Sequence, residues 1–529
     1  MRKPAAVLLA VLLLCIPFSA GAAEDSGDAQ GSEYRLRIAY LWEDGLGTGL
    51  VYDGLEWYQP EGEDDGIGYR VLDDGTAEIL YYRGSWLEIP DEIDGRPVTS
   101  LGLLVSSQML PVSDLVIPDS LTHIDPDAFS CLFYGINTIG ISDDHPAFVL
   151  RGGALYTRDG TRLIVTVNDR EQSSGAILRV EPGTREIGNC AMYNSPKQQV
   201  VLPEGLERIG DSAFFGMNEL KEIAVPDSVT EIGRYAFEGA GITELALPDG
   251  TVSIGSGALA YTSVKSFRLP AGLEEVTGNP FTGCDELEEV TVPEGTGRWR
   301  AEGGVLYDEA EHTLIAVWDD RGQDTFAVPE GIIRIAECAF AYSGFRRIEL
   351  PDSVTEIGQG AFQGCEQLEE IRLPSGISAV PGHAFMYCFR LRSVMLPEGL
   401  ERIGNQAFCE CTSLEGLVIP DSVTEIGIGA FERSGLREIG LPASLRAIPD
   451  GCLMRTKLES VRIPESVGTI GEYAFFDCGE LTEMTIPDSV TAIGEEAFED
   501  CGLLTLTVGK DSEAQRYCER NEIPFVNPE

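Results

Sequence analysis

Four histidines, thirteen cysteines and 87 acidic residues are the side chains with which this chain could do chemistry. Metal ligation needs histidines and thiols at short fixed spacings, and His123, His145, His312 and His383 have no such spacing. A serine hydrolase of the elbow type would show Gly-x-Ser-x-Gly, and the chain has none. Gly358-Gln359-Gly360 with Gly364 imitates a phosphate loop, but its spacing is wrong and each glycine falls at a landmark of a longer repeat. Asp64-Asp65, Asp73-Asp74 and Asp319-Asp320 lack the alternating oxygen ligands of a calcium loop. Paired carboxylates could hydrolyse glycosides, yet acids recur in every period and single out no pair. The expectation is a chain without catalysis, cofactor or metal.

The cysteines point to what must position them. Cys284, Cys365, Cys388, Cys411, Cys478 and Cys501 all sit three residues after the Phe of a recurring pattern, while Cys190 and Cys338 precede its Ala or Ala-equivalent. A position filled once per period reads as a ladder of small buried side chains, in which free Cys behaves as a hydrophobe. Adjacent periods bring Cys365, Cys388 and Cys411 within reach of one another, but the placement argues against a disulfide framework.

The period is plain in the prolines: Pro329, Pro351, Pro374, Pro397, Pro420, Pro442, Pro464 and Pro487 fall 22 or 23 residues apart. In the last full copy, Met484 and Ile486 share one face of a strand, and Pro487 ends it because proline cannot donate to a ladder. Asp488-Ser489 supplies turn chemistry, Val490 to Gly494 makes a second short strand, and Gly494 suits a tight corner. The next residues are too few for an ordinary helix and read as a single helical turn burying Ala497 and Phe498. Such a unit cannot cover its own apolar side chains, so copies must stack. The fold class expected is a β-rich repeat solenoid. It is a right-handed coil of short parallel strands with single helical turns, two β-hairpin insertions and a C-terminal capping helix. Phe129, Phe214, Phe237, Phe340, Phe362, Phe385, Phe408, Phe431, Phe475 and Phe498 should be the main fillers of their rungs.

Outside the array, residues 1–23 read as a secretory signal peptide: Arg2 and Lys3, an apolar run over 5–16, then small residues before Glu24. Lipidation at Cys15 is not expected, because Leu12-Leu13-Leu14 lacks the small residue required at the cut. Residues 24–67 form an acidic lead-in and a small N-terminal β element, with Tyr34, Trp42, Tyr52, Trp57 and Tyr58 supplying aromatics. The repeat array runs over 68–508, with hairpin insertions near 148–165 and 299–317 that share Gly-Gly-x-Leu-Tyr. Residues 509–529 form the cap, where Ala514, Tyr517 and Cys518 have helical spacing.

The formal charge of −49 excludes nucleic acid and anionic membrane as partners. No second apolar run of spanning length follows the leader. The mature chain is therefore expected outside the cytoplasm, secreted or at the surface, and monomeric. The best prospect for function is the outward row of the first strand, one residue per period. It mixes cationic, polar and apolar side chains at Arg268, Thr291, Glu349, Arg372, Met395, Val418 and Arg462, whereas the buried rows hardly vary.

Pro-Asp-Ser-Val-Thr-Glu-Ile-Gly-x-x-Ala-Phe, beginning at Pro226, Pro351 and Pro420, resembles the BspA-type leucine-rich repeat of bacterial surface and secreted proteins. The Gly-Gly-Val-Leu-Tyr insertion and the closing helix are similar too, and the resemblance covers roughly residues 68–526. It implies a leucine-rich-repeat-like solenoid, export, and adherence to an extracellular protein or host matrix component. Two other readings stay open at this point: a structural spacer presenting the aromatic segment 34–58, and a carbohydrate-active enzyme.

Overall fold

The computed structural model describes residues 35–40, 48–53, 56–58, 66–82, 86–106, 114–130, 136–168, 177–319 and 322–528. The leader, Tyr34, Trp42, Cys15 and Cys131 lie outside them. The chain divides into two compact units, Met1–Pro293 and Glu294–Glu529. Each is a β-solenoid. No helix among the described residues is long and apolar enough to cross a membrane.

The first unit opens with antiparallel pairs, Arg35–Tyr40 with Thr48–Asp53 and Glu56–Tyr58 with Ile67–Val71. Ile67–Val71 turns back on Ala77–Tyr82 around Asp73-Asp74-Gly75, where Gly75 takes φ +84° as the tight turn requires. Ala77–Tyr82 then pairs in parallel with Arg96–Ser106, and the coil begins. From Leu163 the landmark column Ile187, Ile209, Ile232, Ile254 and Val276 continues in parallel register. The second unit repeats the scheme on two faces. One carries two-residue strands such as Arg402–Ile403 and Glu425–Ile426, the other three-residue strands such as Glu370–Arg372 and Ser393–Met395.

Both expected hairpins are present, and each has a third strand. Phe148–Arg151, Ala154–Thr157 and Arg162–Thr166 form one antiparallel meander, and Trp299–Glu302, Val305–Asp308 and Thr313–Val317 the other. The third strand is itself a rung, because Leu163 pairs with Ile187 and Leu314 with Ile335. Its end also donates like one: Thr166 N–H reaches Ala191 O at 2.7 Å, and the Asn168 side-chain amide reaches Tyr193 O at 3.0 Å.

Each fixed residue of the Pro-x-Ser-Val-x-x-Ile-Gly pattern has a local structural cause. Pro opens a turn that the Val amide closes, Val354 N–H donating to Pro351 O at 3.1 Å and Val423 N–H to Pro420 O at 3.0 Å. The Ser hydroxyl ties that turn to the previous rung, Ser353 to Ile332 O at 2.8 Å and Ser422 to Leu400 O at 2.6 Å. The Gly after Ile is required by space. A Cβ on Gly427 would lie 2.4 Å from Asn405 N and 2.5 Å from Gly404 C, and Gly358, Gly471 and Gly494 are equally confined by backbone. Gly427→Ala is therefore expected to destabilise the second unit by roughly 2–3 kcal/mol, as overpacking does. A denaturant midpoint equal to that of the native chain would contradict this spacing.

The expected single helical turn takes a different form. The residues before Ala and after Phe-x adopt left-handed backbone, as at His383 (φ +58°) and Tyr387 (φ +63°), or Gln406 (+51°) and Glu410 (+60°). Alternating hands turns every second amide toward the next rung. His383, Phe385 and Tyr387 donate to Asn405, Ala407 and Cys409 carbonyls at 2.8–2.9 Å, while Ala384, Met386 and Cys388 donate back within their own turn. Left-handed backbone costs a non-glycine residue about 1–2 kcal/mol. His383, Tyr387, Gln406 and Glu410 each offset that cost with an inter-rung hydrogen bond, which a helical turn with amides along its own axis would not make.

Inside the second unit the rings of Phe340, Phe362, Phe385, Phe408 and Phe431 form a column, with centroids 5.2–5.7 Å apart and planes within 20° of parallel. The cysteine position lies beside it. The Cys365, Cys388 and Cys411 thiols donate to the carbonyls of Phe340, Phe362 and Phe385, the Phe of the preceding rung, at 3.1–3.2 Å. The eleven described cysteines are free thiols. Ser343 and Thr456 occupy the same place in other rungs and contact the next thiol at 3.4 and 3.3 Å, so the position selects a small donor rather than a disulfide. The chain closes with helix Glu513–Arg520, capped by Ser512 Oγ accepting from Gln515 N–H and burying Ala514, Tyr517 and Cys518.

Candidate interaction face

The three-residue strands alternate exposed, buried, exposed, so one column of side chains enters the core and two face outward. Glu349, Arg372, Met395 and Val418 occupy one outward column of the second unit, in Arg347–Glu349, Glu370–Arg372, Ser393–Met395 and Gly416–Val418. Arg372 is in register with Met395. Arg462 is exposed further along the same unit. Arg268 and Thr291 belong to the first unit, where they are direct cross-strand partners. There Arg268 is committed to Asp249, Nη1 to Oδ1 at 2.6 Å, and that hydrogen bond holds the Asp249 carboxyl below the usual carboxylate range.

Around Arg372 the face is hollowed into a shallow groove of about 330 Å3, lined by Arg347, Glu349, Glu370, Arg372, Ser393 and Met395 together with the buried Ile348, Leu350 and Ile371. Arg347 is paired with Glu370, and Arg372 lies 3.6 Å from Asp352. From the Met395 edge of the groove outward the surface turns apolar: Met395 is 59% and Val418 85% exposed. Exposed ion pairs are individually worth little. What the arrangement offers is a mixed ionic and apolar surface laid over hydrogen-bonded parallel strands. The outward column was legible from the repeat offset. Arg347 and Ser393 were not singled out, although the same offset finds them two residues earlier.

Two of the four histidines, His145 and His383, are buried packing elements. His145 is fully buried, donates from Nε2 to Pro118 O at 2.9 Å, accepts at Nδ1 from Ala147 and Phe148 amides, and stacks on Phe148. His123 and His312 are exposed. Among the described residues no cluster of three metal-ligating side chains occurs.

His383 belongs to a buried polar column that sequence reading missed, because its members occupy positions filled by Gly, Cys or Met elsewhere. Gln359 Nε2 donates to His383 Nδ1 at 3.1 Å, and His383 Nε2 donates to Gln406 Oε1 at 3.1 Å. The Gln406 amide then donates to the Glu432 carboxylate. The acceptor Oε1 of Gln406 requires the proton on His383 Nε2. Burial pushes His383 down to about 4 and Glu432 up to about 7, the latter against Arg433, whose Nε lies 3.9 Å from Glu432 Oε1.

With this geometry in view, the chain can be compared with known proteins. The family model described as a BspA type leucine rich repeat region matches in six copies, at residues 185–301, 322–434 and 401–520, together more than half of the chain. No curated protein matches the sequence. Solved structures similar to it include a leucine rich cell surface protein from Faecalibacterium prausnitzii, at 21% identity over 88% of this chain and 97% of that one, with a TM-score of 0.30. The pneumococcal vaccine antigen PcpA aligns at 17% identity over 90% of this chain and 99% of that one, TM-score 0.40. A leucine-rich repeat protein from Bacteroides ovatus aligns at 20% identity over 88% and 98%, TM-score 0.29.

Proposed function

This chain belongs to the BspA-type leucine-rich repeat family, and on that footing we propose that it is a secreted, non-catalytic binding solenoid that adheres to an extracellular protein or host matrix component. The observation that carries the reading is the second unit's outward column, where a groove at Arg372 adjoins Met395 and Val418, both exposed large apolar side chains. Exposed apolar side chains beside an ionic groove mark surfaces that are covered by a partner. The buried rows are committed to the Phe column and to hydrogen bonds between rungs, whereas an outward row is free to vary without disturbing the fold.

The test replaces two side chains that make no core contact. Arg372→Glu with Met395→Glu should weaken capture of an immobilised matrix protein about tenfold or more, with no change in the thermal midpoint, since both side chains are more than half exposed. Capture unaffected by the double substitution would remove this face from consideration.

A further inference from the structure

Val418 is bordered by glycine on one side of its column. Its in-register partner is Gly440, which has nothing within 4 Å of where a Cβ would sit, and Gly416 lies two residues back on the same face. The knob is therefore approachable from several directions, and Met395 holds the same outward position one rung earlier. An isolated apolar side chain on a strand would need no explanation. Two in neighbouring rungs, one of them beside glycine pavement, form a platform.

The rim of that platform is acidic. Glu415 precedes Gly416, and Glu438 is in register with Gly416, its carboxylate 3.7 Å from the position a Cβ there would take. Asp421 follows in the Pro420 turn, which Ser422 Oγ ties to Glu398 O at 2.7 Å, bringing Glu398 alongside. All four are exposed, and none forms an ion pair with a described residue. Of the nearby arginines, Arg437 pairs with Glu459 at 3.2 Å and Glu480 at 3.1 Å, and Arg372, in register with Met395, lies 3.6 Å from Asp352, which leaves the four carboxylates short of cations among the described residues.

We propose that this platform docks a cationic segment of a partner protein, in which an apolar side chain flanked by lysines or arginines covers Met395 and Val418 while the cations meet Glu398, Glu415, Asp421 and Glu438. The inference rests on the sheet-face reading above and narrows its partner. Apolar contact at the centre supplies affinity, and the carboxylates supply orientation and a fast, salt-sensitive approach.

The experiment uses the full chain and short synthetic peptides as probes, with binding followed by fluorescence anisotropy at low and high salt. A peptide alternating lysine and leucine should bind about tenfold more tightly than one alternating lysine and serine, and one alternating glutamate and leucine should not bind. Val418→Ser and the pair Glu415→Gln with Glu438→Gln should each weaken the lysine–leucine probe about tenfold. The pair Glu275→Gln with Glu425→Gln, on the two-residue strands, removes the same charge and should change nothing. Equal weakening by both pairs would mean diffuse attraction to an acidic surface and would overturn the proposal. So would self-association of the native chain that Val418→Ser abolishes, because a second copy would then be the occupant. If the probe ignores Val418 while Arg372→Glu with Met395→Glu still prevents matrix capture, the face stands and the partner chemistry assigned here falls.

Discussion

Phe408→Ala should cost the second unit about 3–5 kcal/mol, the usual range for removing a fully buried ring. Phe408 is 0% exposed and lies 5.3 Å from Phe385 and 5.7 Å from Phe431, so its loss opens a cavity that both neighbours border. A solenoid has no distant core to take up the slack, since each rung is stabilised by the next. The loss should appear as a lower denaturant midpoint and as faster amide exchange at Phe385, Ala407 and Phe431 before other rungs respond. Phe389→Ala provides the contrast: that ring is 36% exposed and its removal should be mild. Equal midpoints for native and Phe408→Ala chains would show that the ring column does not hold the rungs together.

The second large effect is one of pH. Glu432 has its carboxyl raised by burial from the ordinary 4.5 to about 7. A carboxyl raised on folding favours the native state while protonated. Its contribution is fully present below the unfolded value and is lost as pH rises through about 7. The difference corresponds to about 3 kcal/mol above neutrality. Glu432→Gln keeps the size of the side chain and removes the titration. It should therefore be more stable than the native chain at pH 8 by up to about 3 kcal/mol, with the advantage vanishing toward pH 4.5. His383 works in the opposite sense. Depressed by burial to about 4, it stays neutral in the folded chain and withdraws stability as pH falls below the unfolded value of 6.5. Parallel stability profiles of the Glu432→Gln variant and the native chain between pH 5 and 8 would show that the carboxylate is not buried as described.

Much of this architecture was legible because the chain repeats itself. Ile at the landmark, Val after Asp-Ser and Phe after Ala recur at constant offsets, so a burial assignment made for one period held in the others: Val229, Val354 and Val423 are all buried completely. The cap was legible for the same kind of reason, since Ala514, Tyr517 and Cys518 share one helical face. The conformation of the turn was not. Left-handed backbone is normally announced by glycine, and Gly360 and Gly364 do announce it in one rung, but His383, Tyr387, Gln406 and Glu410 hold the same positions in the next two. Inter-rung bonding overrides residue preference there, and a single period read by itself carries no trace of that. The spacing of the two Gly-Gly-x-Leu-Tyr segments showed a hairpin without revealing that Leu163 and Leu314 continue the landmark column. On the exposed face, repeat offset located the varied column, whereas the grooved shape around Arg372 arises from three rungs together.

The inter-rung amides of the turn column run one way: every second amide donates to the rung that follows, and the carbonyls there receive from the rung before, as from His383, Phe385 and Tyr387 to Asn405, Ala407 and Cys409. A stack built like this has a direction but no preferred length. Excising or copying one whole period leaves donors still opposite acceptors at the seam, whereas a cut of any other size sets like against like. Lineages can thus vary the reach of such a molecule by unequal exchange between its own near-identical segments, and in-frame loss of residues 374–396, one proline to the next, is the kind of shortening this backbone would absorb.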